Sequence, residues 1–181
     1  MTHFLKNGNS FRVFAQESID LTNTLAPGNY VVKTDHNDQL YIEKVDDFKV
    51  SGKLYGDVGK NADRILNTFN ERPNATGVML SGEKGSGKTL LSKVISLEGA
   101  KLGYPTIIIN QPYRGDDFNT LIQSIEQPAI ILFDEFEKVY EKDHQEEILT
   151  LLDGVFPSKK LFVLTCNDKW RVDIQIGRAH V

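Results

Sequence analysis

Apolar positions follow two alternating rhythms from residue 58 onward. Thr76-Gly77-Val78-Met79-Leu80, Pro105-Thr106-Ile107-Ile108-Ile109-Asn110, Ala129-Ile130-Ile131-Leu132-Phe133 and Leu161-Phe162-Val163-Leu164-Thr165 are short runs, largely apolar, with no polar alternation. That pattern predicts strands buried on both faces. Between them the period is helical. Val58, Ala62, Ile65, Leu66 and Phe69 share one face, and Leu90, Leu91, Val94 and Ile95 mark a helix over Thr89–Leu102 that Gly103 and Pro105 stop. Phe118, Leu121, Ile122 and Ile125 mark another, with Asp116 or Asp117 placed to cap it. Val139, Tyr140, Ile148, Leu151 and Leu152 predict a single charged helix from about Glu137 to Leu152. Alternating strands and helices of this kind predict an α/β fold, a parallel sheet between two helical layers.

Before residue 49 the character differs. Asn29–Thr34 and Gln39–Val45 flank the turn-rich Asp35-His36-Asn37-Asp38, a hairpin signal. Residues 1–48 therefore read as a small N-terminal β-rich segment, too short for a core of its own and expected to pack on the rest or on a partner. Residues 49–175 read as the main domain.

Composition narrows the setting. The formal charge of −4 carries no global attraction to nucleic acid or an anionic membrane. The single cysteine, Cys166, excludes an intramolecular disulfide framework and suits a reducing compartment. The N-terminus lacks the apolar core of a secretion signal and no stretch has the length of a membrane span, so the cytoplasm is the expected location. Scattered histidines offer no metal-ligand spacing.

The chemistry starts at Gly82-Glu83-Lys84-Gly85-Ser86-Gly87-Lys88-Thr89-Leu90, which contains a complete Walker A phosphate loop between a predicted strand and a predicted helix. Its glycines let the backbone curl so that successive N–H groups face phosphate oxygens. Lys88 has the reach for the β- and γ-phosphates of ATP, and the Thr89 hydroxyl suits Mg²⁺. The run 129–133 ends in Asp134-Glu135, and a strand-end acidic pair emerges at the sheet edge where the phosphate loop also lies. Asp134 is expected to hold Mg²⁺ and Glu135 to orient or deprotonate the attacking water. The plainer reading is two acids at a helix start. Thr165-Cys166-Asn167 closes the next strand at the same edge, where the Asn167 amide is placed to sense the γ-phosphate; alone, such an Asn is a turn former. The expected catalytic set is Lys88, Glu135 and Asn167.

These three elements, in this order, resemble the AAA+ ATPases over roughly residues 53–171, and the pattern is most similar to the AAA-family proteins of tailed bacteriophages. The resemblance implies a three-layer P-loop NTPase core with strand order 5-1-4-3-2, ATP hydrolysis, assembly into a hexameric ring, and the host cytoplasm as location. It places Leu54-Tyr55-Gly56-Asp57 at the adenine, with Tyr55 and Gly56 as contacts; the alternative is an ordinary turn. It puts Gln111-Pro112-Tyr113-Arg114-Gly115 where protein-threading members carry a pore loop. A plain connecting turn is the alternative there, and Arg114 equally suits nucleic-acid phosphate. The family's fifth strand, helical lid and arginine finger have no counterpart before the end of the chain. Ile176-Gly177-Arg178-Ala179-His180-Val181 is the in-frame translation of a common sequencing-adapter start. Residues 176–181 are thus expected to be a non-native tail on a truncated chain that is itself weakly active or inactive. Two functions follow: a motor that remodels or threads a protein substrate, or a replication-associated ATPase of clamp-loader or helicase-loader type acting on nucleic acid. A nucleotide-dependent assembly switch and a phosphate-loop kinase are further alternatives, the kinase disfavoured by Asp134-Glu135 and the Asn167 strand.

Overall fold

The structure, a computed structural model, describes residues 2–7, 9–15, 20–51, 56–152 and 159–172. A small antiparallel ribbon, β1 (Thr2–Asn7) and β2 (Ser10–Ala15), stands apart from a six-stranded sheet. That sheet contains β3 (Gly28–Thr34), β4 (Leu40–Lys44), β5 (Thr76–Ser81), β6 (Pro105–Ile109), β7 (Ala129–Phe133) and β8 (Lys160–Cys166), in the order β4-β3-β6-β7-β8-β5. All its neighbours are parallel except β3 with β4. The helices are α1 (Val58–Glu71), α2 (Lys88–Lys101), α3 (Gly115–Ser124), α4 (Phe136–Val139) and α5 (Lys142–Leu152). No described helix is long and apolar enough to cross a membrane.

Side-chain alternation along the central strands builds a core on each face. Ile130, Leu132, Leu161 and Val163 pack with Ala62, Leu66 and Phe69 of α1 and Val94 and Ile95 of α2. Ile131, Phe133, Phe162 and Leu164 face the other way, against Phe118, Ile122, Phe136, Tyr140 and Ile148 of α3, α4 and α5. In β6, β7 and β8 the continuous apolar runs are therefore strands with two dry faces, as their lack of alternation predicts, whereas β5, at the edge of the sheet, is mostly half-buried. Gly99 brings α2 close to the sheet: a Cβ there would lie 2.4 Å from Ile130 Cδ1.

The hairpin at 28–44 forms as expected, closed by Asp35, whose Oδ1 accepts the N–H groups of Asn37 (2.8 Å) and Gln39 (3.0 Å). Its place is the informative part. β3 adds to the sheet beside β6 through a parallel ladder from Gly28↔Pro105 to Val31↔Ile108. The division drawn between residues 1–48 and 49–175 thus runs through one sheet. Buried Ser96 Oγ, 2.8 Å from both Asn29 Oδ1 and Thr106 Oγ1, joins β3, β6 and α2.

Two helix expectations are corrected. Asp116 and Asp117 lie in the first turn of α3, and Arg114 is its N-cap with no side-chain cap bond; both acids still favour the positive end of the helix. The single helix from 137 to 152 is two, because Tyr140 is extended (φ −117°, ψ 113°) and interrupts it. Tyr140 is buried, stacked on Phe136, and its hydroxyl donates to the Tyr113 carbonyl at 2.6 Å. Tertiary packing here overrides a helical period.

Candidate active site

Three adjacent parallel strands end together. Phe133 of β7 is opposite Leu164 of β8, and Ser81 of β5 is opposite Cys166 of β8. One residue further on, Asp134 neighbours Thr165 and the phosphate loop begins beside Asn167. The register alone brings the three motifs to one rim, the carboxyl edge of a parallel sheet.

The loop between β5 and α2 takes the conformation that its glycines permit. Gly82, Gly85 and Gly87 have φ of 156°, 88° and 87°, and Gly87 is the N-cap of α2. A Cβ on Gly82 would press on Ser86 Oγ at 3.0 Å. Helix α2 therefore opens on Lys88 and Thr89 with its first N–H groups directed out of the loop, an anion-binding arrangement. Lys88 Nζ curls over the loop and donates to the Gly82 and Glu83 carbonyls at 2.6 and 2.8 Å, with Ser86 Oγ at 3.3 Å. The Thr89 side chain lies on the first turn, with Leu90 following it.

The acidic side is a connected hydrogen-bond network. Thr165 Oγ1 donates to Asp134 Oδ1 at 2.7 Å and accepts the Glu135 N–H at 2.8 Å. Glu135 sits in the left-handed region (φ 50°, ψ 50°), a strained backbone for a non-glycine residue that this bond helps to hold. Its Oε1 accepts from Lys138 Nζ at 2.6 Å and from Asn167 Nδ2 at 3.2 Å. The Lys138 ammonium holds the Glu135 carboxyl below its ordinary range; partial burial opposes this, and the Asn167 amide and the charge of Lys84 add to it. Glu137, 3% exposed, accepts the Asn167 N–H on Oε1 at 2.8 Å. Burial pushes the Cys166 thiol up, and Glu137 adds to the effect.

The remaining expected positions divide. Gly56 (φ 71°) and Asp57 border a cleft of about 930 Å³ that reaches Ser86, Gly87 and Lys88 along α1 and β5. Tyr55 and the tail at 176–181 lie outside the described residues. Tyr113 is not a free ring: its hydroxyl donates to the Val32 carbonyl at 2.9 Å, its ring stacks on Phe118 at 6.0 Å, and it packs on the core. Tyr113 is thus held at both its ring and its hydroxyl. Arg114 beside it is exposed and extended. Sequence reasoning missed Thr165 as a bridge, Glu137 and Lys138. The Thr165 bridge was available from strand register, since pairing 133 with 164 puts its hydroxyl beside Asp134; the other two carried no signal beyond a charged helix start.

Solved structures share this architecture. The chain resembles a katanin structure described as the structural basis for katanin self-assembly, at 17% identity and a TM-score of 0.50, over 70% of this chain and 48% of that one. It resembles a RuvB variant of Thermotoga maritima at 17% identity and a TM-score of 0.50, over 68% and 42%. The FIGL-1 AAA domain in complex with ADP matches at 21% identity and a TM-score of 0.48, over 73% and 55%. The chain spans about half the length of these structures. At such identities the katanin and RuvB likenesses show the fold alone, a P-loop NTPase fold of the AAA+ kind. No curated protein matches the sequence. The sequence itself matches the family described as "ATPase family associated with various cellular activities (AAA)" over residues 78–180, more than half of its length. With fold, site order and family profile in agreement, the chain belongs to the AAA family of ATPases.

Proposed function

We propose that this protein hydrolyses Mg²⁺-ATP at the rim formed by the phosphate loop, Asp134-Glu135 and Asn167, and uses the cycle to remodel a protein substrate as a ring-forming oligomer. The observation that carries the hydrolysis reading is the continuous network from Asp134 through Thr165 to Glu135 and on to Asn167, beside a glycine-shaped anion loop. A loop of N–H groups closed by Lys88 binds phosphate without acting on it. An ionised carboxylate oriented by an amide is what positions and activates water.

The metal fits the donors present. Thr89 offers one hydroxyl and Asp134 a carboxylate, two hard oxygen donors suited to a Mg²⁺ ion that takes its other ligands from phosphate and water. Bound there, Mg²⁺ would neutralise charge on the transferring phosphoryl group. Asp134 is oriented for this by Thr165, and Gly56 lies where the base end of the nucleotide would extend along the cleft. Assembly is extended to this chain from the self-assembly described for katanin. In this reading the loop at 111–115 is the candidate contact to the substrate, with Tyr113 held against Val32 and Phe118 and Arg114 exposed beside it. If Arg114 instead contacts phosphate, the replication-type reading follows, and stimulation of turnover by DNA would reveal it.

The test uses a fluorescent ATP analogue and phosphate release in the full-length protein. Glu135→Gln should retain nucleotide with release lowered at least about 100-fold, and Lys88→Ala should weaken nucleotide binding itself. Ordinary turnover by Glu135→Gln would remove Glu135 from the role given to it here.

A further inference from the structure

We propose that Glu137 is the positioning residue that sets the Asn167 amide, and through it Glu135, for turnover; this rests on the hydrolysis reading above. Asn167 is the first residue beyond β8, where the ladder no longer supplies a partner for its backbone N–H. Glu137 Oε1 takes that bond at 2.8 Å and lies 3.2 Å from the Asn167 Nδ2 as well. One carboxylate oxygen therefore fixes both the main chain and the side chain of Asn167. The same Nδ2 is 3.2 Å from Glu135 Oε1.

Chemistry fixes which way the amide faces. Between two carboxylate oxygens only the NH₂ end of a carboxamide finds acceptors, so the carbonyl end turns away. Glu137 thereby makes Asn167 present a donor to Glu135. The burial of Glu137 supports a purpose beyond packing. It is 3% exposed, next in sequence to buried Phe136, and its Oε2 is buried with no hydrogen-bond partner among the described residues. A buried acid with an unmet oxygen is disfavoured against an aliphatic side chain of similar size. What an aliphatic side chain could not provide is the acceptor for Asn167.

Steady-state kinetics on the full-length protein test this. Glu137→Met keeps the volume and removes the acceptor; kcat should fall at least about 10-fold, with KM and the Kd for a fluorescent ADP analogue within about threefold of wild type. Glu137→Gln keeps an acceptor and should restore kcat to within about threefold. In an Asn167→Ala background, Glu137→Met should lower kcat by no more than about twofold further, because both changes remove one contact. Wild-type kcat in Glu137→Met, or additive losses in the double variant, would overturn the assignment. Normal turnover in Glu135→Gln would instead sink the hydrolysis reading, a separate outcome. Should the Met variant fail to bind nucleotide, amide exchange on the wild-type protein decides: the Asn167 N–H should exchange at least about 100-fold slower than an open amide, and unprotected exchange would overturn the proposal.

Discussion

In the proposed hydrolysis Glu135 works as a carboxylate, which it already is at neutral pH, and its neighbours extend that state to lower pH. The Lys138 contact at 2.6 Å is the largest influence keeping its carboxyl below the usual range. Lys138→Met removes that influence, so the carboxyl takes up a proton at a higher pH than before. The acid limb of the kcat–pH profile should therefore move upward while turnover at neutral pH changes little. An unmoved limb would show that another group titrates there. Lys138 is exposed enough for the change to leave the fold intact.

At the scale of elements, one side chain links the hairpin to α3. Tyr113 is a strut, with its hydroxyl on β3 at Val32, its ring on Phe118 of α3, and its carbonyl holding Tyr140. Tyr113→Phe should cost about 1 kcal/mol of stability. Tyr113→Ala should cost about 2–3 kcal/mol, read from urea unfolding, because the stacking surface is lost as well. A threading loop would tolerate both without loss of stability. The sequence made β5, β6, β7 and β8 legible almost to the residue, because apolar runs such as 129–133 have no other stable placement than inside a sheet. It made the phosphate loop legible because left-handed positions at 85 and 87 need glycine. It did not show the break at Tyr140 or the tether on Tyr113, since both depend on contacts between residues 27 and 81 positions apart. Nor did it show β3 joining β6, because a hairpin signal fixes its own register and not its neighbour.

Across the whole molecule, the end of the sheet opposite the site is held by a buried cation. Lys160 at the start of β8 is 1% exposed and donates to the Ile125 and Gln127 carbonyls, and the Gln127 side chain in turn grips the Leu25 backbone at 2.7 and 3.1 Å. Burial lowers its pKa from 10.5 to about 8. Below pH 8 the amine is charged in both the folded and unfolded chains, and the folded state bears the full desolvation cost. Between about pH 8 and 10.5 the unfolded chain holds the proton and the folded chain releases it, so stability rises with pH. Lys160 should contribute roughly 1–3 kcal/mol to this rise, opposed above about pH 9 by the buried Cys166 thiol, which ionises less readily in the fold than in the unfolded chain; Lys160→Met should remove the Lys160 contribution in urea unfolding at about pH 7.5 to 10. Tyr140, whose phenol burial pushes well above 10.0, takes stability away only once unfolded tyrosines ionise near pH 10, above most of this window.

The shared sheet has a mechanical corollary. Since β3 and β4 are stitched through β6 and β7 to the very strands whose tips carry Asp134 and Asn167, the six form one plate about 25 Å wide. Whatever is fastened to the hairpin cannot swing on a loose tether. It tilts when the plate tilts and keeps a fixed angle to the rim that carries Asp134 and Asn167.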